Sequence, residues 1–198
     1  LGLDVNTGPW LLGMAFYALA SLITFIFLRP EPMTIARHLQ GDPDKPKVDE
    51  KARPLAELLR LPTVQLAIFG MLVSQTVMVT LMVITPLHMH HHAYGSGEVS
   101  IVIMAHTLGM FGLSSLTGRL IDRYGQVRMM LAGAVILVIS AVLAPLSTGM
   151  FILITSLFLL GLGWNFGYIA GSSMLSQALT GAERGRVQGL NDMLVAFA

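Results

Sequence analysis

The residues of this 198-residue chain best suited to chemistry are histidines and a few acids in a strongly apolar sequence. Four of its six histidines form the stretch H-M-H-H-H, at His88, His90, His91 and His92. On a helix, His88, His91 and His92 would share one face, because positions three and four apart are neighbours there. Such a face can bind a transition metal or sense pH. The alternative, which we prefer, is a solvated cluster without an assigned role.

The spacing of His88, His91 and His92 also resembles the H-x-x-H-H box of membrane di-iron desaturases. Those enzymes need several such boxes, and this chain offers only His38 and His106 besides. We keep a membrane-embedded metal-binding protein or metalloenzyme as the alternative function. Our first expectation is a protein that is not an enzyme and that has no resident metal or other cofactor.

His106 lies near the middle of the apolar run 99–117. An ionisable group at that depth is costly and is a functional hypothesis by default. The imidazole could relay a proton or contact a substrate. Alternatively, it is neutral and hydrogen-bonded to a hydroxyl on a neighbouring helix.

Asn191 and Asp192 are the next candidates. The pattern Thr180-x-x-Glu183 predicts a capping box that starts a helix near Gly181. Asp192 would then lie about 17 Å from the helix start, at about 1.5 Å per residue. Asn191 and Asp192 could line the inner part of a cavity, or they could be a solvated pair near a helix end.

The elements that position these residues are predicted to be membrane helices. The chain is 54% hydrophobic and 12% charged, whereas soluble domains carry about 25% charged residues. About 20 apolar residues span a bilayer. Five runs meet that length and a sixth begins near Val187; the runs are 10–28, 62–86, 99–117, 129–146 and 150–171. A net charge of +1 gives no case for nucleic-acid binding, and the absence of cysteine excludes disulfides and thiolate metal sites.

The basic residues predict the orientation of these spans. All twelve lie in alternate connections: seven between residues 29 and 60, three between 119 and 128, and Arg184 and Arg186. Connections rich in Lys and Arg stay in the cytoplasm. The connection around 119–128 is therefore expected on the cytoplasmic side, and its tight turn is expected to use Gly118 and Gly125 as permissive residues.

The charged connection itself resembles a family signature. Residues 118–128 read G-R-L-I-D-R-Y-G-Q-V-R, which is similar to the G-x-L-x-D-R-x-G-R-R motif of the major facilitator superfamily (MFS). The positions that carry the resemblance are Gly118, Leu120, Asp122, Arg123, Gly125 and Arg128. Gln126 and Val127 depart from the usual basic pair. In the family, the acid and arginines of this motif latch one half against the other in the outward-facing state; the alternative is a turn that only sets topology.

The resemblance implies an all-α membrane protein, an MFS-type helical bundle with about five complete transmembrane helices and part of a sixth. Residues 1–28 would be the end of the N-terminal half, 29–61 the central cytoplasmic loop, and 62–198 a truncated C-terminal half. The partner would be the missing N-terminal half, in a multi-pass protein of the bacterial inner membrane.

The implied function is secondary transport of a small solute across the lipid bilayer by alternating access. The stretch E-R-G-R-V-Q-G-L-N-D resembles the same connection in drug-efflux-like members, and export of a drug or metabolite is the narrower expectation. The sequence shows no nucleotide-binding loop, so we expect an ion gradient, of protons, to drive the transport as antiport. His106 and Asp192 are the titratable candidates. The resemblance also places Gln75, Asn165 and Tyr168, which are polar groups within apolar runs, around the transport cavity.

Overall fold

The computed structural model describes residues 7–29, 53–146 and 149–197. The chain divides into two compact units, residues 1–50 and 51–198. In the first unit, α1 runs from Thr7 to Phe27. Most of the predicted central loop lies outside the described residues, so the proposed boundaries at 28 and 61 stay predictions.

The second unit is a bundle of helices. Its elements are α2 (Leu55–Leu58), α3 (Pro62–His91), α4 (Ser96–Thr107), a π-helical turn (Leu108–Gly112), α5 (Ser114–Tyr124), α6 (Gln126–Leu146), α7 (Met150–Ala178) and α8 (Gly181–Phe197). Among the described residues, four helices, α1, α3, α6 and α7, are long and apolar enough to cross a membrane. Helix α4, the π turn and α5 are together long and apolar enough for a fifth span, which is bent by 44°. The prediction of an all-α membrane protein is confirmed, with four or five described segments able to span the bilayer.

The helices extend beyond the apolar runs that predicted them. Helix α3 continues through Pro86 to His91, so three of the clustered histidines are helical rather than part of a connection. Helix α7 continues to Ala178, which leaves only Leu179 and Thr180 before α8. Hydropathy marks the length that hydrocarbon covers, whereas backbone hydrogen bonding continues the helix into the polar region beyond it.

Helix α7 lies at the centre of the second unit and packs on α3, α4 and α6. Glycines permit the closest crossings. A Cβ on Gly163 would lie 3.0 Å from the carbonyl oxygen of Gly133 on α6, and a Cβ on Gly161 would collide with the carbonyl oxygen of His106 on α4. Small residues let membrane helices approach to backbone contact in this way, and these contacts fix how α7 is rotated.

An ion pair attaches the segment before α3 to the start of α8. Arg53 donates from Nε to Oε1 of Glu183 at 2.8 Å and from Nη2 to Oε2 at 3.0 Å. Glu183 is only 2% exposed, and Oε2 also accepts the Thr180 backbone N–H at 3.1 Å. The capping box is therefore half formed, because the Thr180 hydroxyl makes no hydrogen bond among the described residues. Beside the ion pair, Leu58 and Val187 are fully buried in one apolar cluster.

This ion pair predicts a pH dependence of stability. Hydrogen bonds from Arg53, and then from Thr180, hold the pKa of Glu183 well below its usual value of 4.5. A carboxylate with a depressed folded-state pKa stabilises the fold above its unfolded-state pKa, and that stabilisation is lost as the pH falls through the folded-state pKa. We expect Glu183→Gln to melt several degrees below wild type at pH 7, with the gap closing steadily below about pH 4.5.

The measurement is thermal unfolding of both proteins in the same detergent from pH 7 to pH 3. Glu57→Gln is the matched control, because Glu57 is exposed and lies on neighbouring α2. A gap between wild type and Glu183→Gln that stays constant down to pH 3 would contradict the assigned pKa.

Candidate functional site

Four side chains from three elements form one continuous surface, which we call the aromatic–amide face: Gln75, Phe111, Trp164 and Tyr168. Trp164 and Tyr168 lie one turn apart on α7, and their rings stack with centroids 4.8 Å apart. Phe111 of the π turn meets the Trp164 ring edge-on at 6.4 Å. The Trp164 indole Nε1 donates to Oε1 of Gln75 on α3 at 2.9 Å. The structure thus brings the predicted residues Gln75 and Tyr168 together.

The hydrogen bond from Trp164 determines what Gln75 offers to a ligand. Its amide oxygen is occupied by the indole N–H, and its Nε2 has no partner among the described residues. A side-chain amide has two N–H donors on that nitrogen. The face therefore presents two free donors beside aromatic rings, an arrangement suited to a flat ligand with a hydrogen-bond acceptor.

Asp192 adds a negative charge beside this face. Asp192 is exposed, and its Oδ1 accepts from Nε2 of Gln188 at 2.9 Å. Its carboxylate interacts electrostatically with Tyr168. The preceding residue, Asn191, is fully buried, with Nδ2 3.7 Å from the Met71 sulfur on α3, one turn before Gln75. Asn191 therefore packs against α3, and Asp192 is the member of the pair available to solvent and ligands.

His106 lies inside the α4–α7 interface. It is 3% exposed, and its Nδ1 lies 3.2 Å from the carbonyl oxygen of Leu157. An Nδ1–H that donates to this carbonyl joins the two helices. One of the two sequence-based interpretations is a neutral imidazole hydrogen-bonded to a hydroxyl on a neighbouring helix. The bond does cross between helices, but its acceptor is a backbone carbonyl rather than a hydroxyl.

Asn165 is also buried between helices rather than on the aromatic–amide face. It is 1% exposed, and its Nδ2 donates to the Met110 carbonyl oxygen in the π turn and to Oγ of Ser114, the latter at 3.1 Å. Its Oδ1 accepts from the hydroxyl of Thr117 on α5. The amide is fully satisfied by the broken third span. Sequence reasoning grouped it with the cavity residues and missed these partners.

The charged motif is mostly helical. Helix α5 includes Gly118 and runs to Tyr124, so the expected role of Gly118 as a turn residue is wrong. Gly125 alone makes the turn, with φ of 85°, a conformation that favours glycine. Leu120 packs against the apolar cluster, whereas Asp122, Arg123 and Arg128 are exposed. Within the described residues, none of these three charged side chains forms an ion pair.

Sequence comparison decides the family. The sequence profile described as Major Facilitator Superfamily matches residues 3–198. The chain belongs to the major facilitator superfamily. Its relatives within the superfamily include two Bacillus subtilis (strain 168) proteins, the uncharacterized MFS-type transporters YdeG and YddS. They are 34% and 31% identical to this chain, over its whole length and 46% of theirs.

A third superfamily relative is the riboflavin transporter RfnT of Brucella anthropi. It is 32% identical over 93% of this chain and 44% of its own length. The chain thus spans about half the length of the curated relatives it matches. No solved structure matches it.

Superfamily membership identifies a multi-pass membrane protein whose relatives are named as transporters, not enzymes. The metalloprotein alternative finds no support. The His92 ring lies 4.4 Å from the His88 ring, with its Nδ1 2.9 Å from the His88 carbonyl oxygen, and His91 is exposed. The described part of the chain holds no group of three or more histidines or acids placed to bind a metal ion.

His88 does contribute to a small cavity. A space of about 220 Å³ lies between α3, α6 and α7, and its walls include Leu81, Thr85, Ala144 and Leu153. The Nε2 of His88 is buried without a hydrogen-bond partner in the described residues. This cavity lies at the end of α3 opposite Met71, away from the aromatic–amide face.

Proposed function

We propose that residues 62–198 belong to the C-terminal half of a secondary transporter that moves a small solute by alternating access. The observation that carries the proposal is the aromatic–amide face with Asp192 beside it. Superfamily transporters bind their solutes near the bilayer midplane, between halves that rock around the site. The face lies midway along α7, where a site of this kind is expected, and the opposite wall would come from the N-terminal half.

The chemistry of the face favours a planar, aromatic solute. Stacking on Trp164 and Tyr168 stabilises a flat ring system, and the free N–H groups of Gln75 suit a carbonyl or ring nitrogen. The relative RfnT is named as a riboflavin transporter, and riboflavin is a planar heteroaromatic molecule with such acceptors. Riboflavin and planar cationic drugs are therefore the first solutes to test.

Coupling to protons is assigned to Asp192 rather than His106. Asp192 is exposed beside the solute face, so both water and a bound solute can reach its carboxylate. His106 is buried, and its Nδ1 is engaged by a backbone carbonyl, which favours a structural role. On this basis we propose antiport of a drug or metabolite against protons, in the inner membrane of a bacterium.

The test is solute-driven proton movement in proteoliposomes that contain the full-length protein. We expect Asp192→Asn to abolish proton movement while the solute still binds. The amide has the same shape as the carboxylate, but it does not take up and release a proton near neutral pH. His106→Gln, which keeps a donor, should retain coupling. Glu57→Gln is the matched acid control, since Glu57 is exposed but lies on α2. Proton movement that survives Asp192→Asn would refute the assignment of coupling, and failure of every solute to bind would refute the solute site.

A further inference from the structure

The third span contains a break that the proposed function does not use. Helix α4 ends at Thr107, the π turn follows, and α5 starts at Ser114 in a direction 44° away. Between them, Leu113 has φ of −107° and ψ of 10°, outside the helical region. Irregular backbone within a membrane span is tolerated where neighbouring groups satisfy its hydrogen bonds, and π turns inside helices are frequent at functional sites.

The part of the span before the break is fixed to α7. A Cβ on Gly109 would collide with the Phe158 carbonyl oxygen, and one on Gly161 with that of His106. These contacts bring the two backbones together, and the hydrogen bond from His106 to Leu157 lies beside them. Movement of α4 along α7 would break several of these contacts at once.

The part after the break, α5, has fewer buried contacts with α7 than the part before it. In α5, only Thr117 and Ile121 are buried. The Thr117 hydroxyl lies within hydrogen-bond reach of Asn165 Oδ1 and 3.1 Å from the Leu113 carbonyl oxygen. Asn165 also bonds Ser114 at the start of α5 and the Met110 carbonyl in the π turn. One amide of α7 therefore satisfies both the irregular turn and the first turn of α5.

We propose that Leu113, at the end of the π turn, is a hinge and that Asn165 is the positioning residue that holds α5, with its charged motif, against α7. Helix α5 carries Arg119, Asp122 and Arg123 on its exposed surface. A charged group that binds these side chains can therefore rotate α5 about the break, while α4 stays packed against α7. This inference concerns the conformation of the chain and does not depend on what solute is transported.

Because of the hydrogen bonds of Asn165, α5 has two discrete orientations rather than a continuous range of them. In a low-dielectric interior, an amide that loses its partners costs free energy comparable to a lost hydrogen bond for each unsatisfied group. Intermediate positions of α5 would leave the Oδ1 of Asn165 and one of its N–H groups without partners, whereas the Thr117 hydroxyl would keep the Leu113 carbonyl oxygen as its acceptor. Helix α5 is stable when it is hydrogen-bonded to Asn165, or when water or another element supplies hydrogen-bond partners in place of Asn165.

Distance measurement between spin labels tests the proposal, and the absence of cysteine from the chain simplifies labelling. The labels are placed at Tyr124→Cys, at the far end of α5, and Gln177→Cys, in the last turn of α7; both residues are exposed. In the full-length protein, reconstituted with its other cysteines replaced, we expect one narrow distance distribution for wild type. Thr117→Val should add a second, longer distance, and Thr117→Ser, which keeps the hydroxyl, should restore the narrow one.

Ser140→Ala is the matched control. Ser140 is fully buried, and its hydroxyl donates to the Ser156 carbonyl oxygen at 2.8 Å between α6 and α7, away from the break. Asn165→Ala should give the largest second population. If it fails to fold, Thr117→Val still decides, since it removes one hydroxyl without changing volume. An unchanged distribution in Thr117→Val, or equal broadening in Ser140→Ala, would overturn the proposal.

Discussion

A Gly161→Ala variant is expected to lose most of its folded yield, although it adds a single methyl group. That group would collide with the His106 carbonyl oxygen and lie 2.8 Å from the Met110 amide nitrogen. Both obstacles are backbone atoms, so no side chain can rotate away. Overpacking typically costs about 1–3 kcal/mol, occasionally more, and this site belongs to the upper end because α4 and α7 must separate.

The measurement is the fraction of monodisperse protein after extraction, together with its melting temperature. Gly185→Ala is the control, because nothing lies within 4 Å of a Cβ built there. Within helix α8, that change should be neutral or stabilising by up to about 1 kcal/mol, since alanine is the better helix former. Equal stability of Gly161→Ala and wild type would show that the two helices are not in backbone contact.

A Trp164→Ala variant of the full-length protein is expected to bind a planar aromatic solute at least tenfold more weakly. This prediction rests on the proposed solute site. The substitution removes the stacking surface and releases the Gln75 amide oxygen from its indole partner. Aromatic pairs contribute about 0.5–1.5 kcal/mol beyond their buried area, and about 1.4 kcal/mol corresponds to a tenfold change in affinity.

Trp164→Phe separates the two contributions. It keeps an aromatic ring but removes the indole N–H, so we expect an intermediate affinity, with the loss concentrated on solutes that use Gln75. Equilibrium binding of the solute to purified protein is the measurement. Phe151→Ala is the control, because Phe151 is 80% exposed at the other end of α7. Equal weakening by Phe151→Ala and Trp164→Ala would place binding elsewhere.

The spans of this fold follow from the sequence because hydrocarbon thickness sets a minimum apolar length, which the runs at 62–86 and 150–171 meet. The positive φ of Gly125 was also predictable, since the motif needs a sharp turn there. The break in the third span was not. The residues L-G-M-F-G-L at 108–113 are compatible with a straight helix. The break is satisfied by Asn165, which is 55 residues from Met110 in sequence.

The candidate site was predictable by residue type but not by position. Gln75, Asn165 and Tyr168 were all selected as polar groups in apolar runs, yet Asn165 faces the third span while Gln75 and Tyr168 share the aromatic–amide face. Their separation depends on how α7 is rotated, which backbone contacts at Gly161 and Gly163 fix. The hydrophobic pattern of a helix that is apolar all round does not encode that rotation.

The ion pair of Arg53 and Glu183 also closes the second unit on itself. The two residues are 130 positions apart in sequence, and Leu58, which lies between Arg53 and α3, is fully buried in the same apolar cluster as Val187 of α8. The first and last described segments of this unit are therefore packed together, so a movement of α8 would also displace the segment that leads into α3.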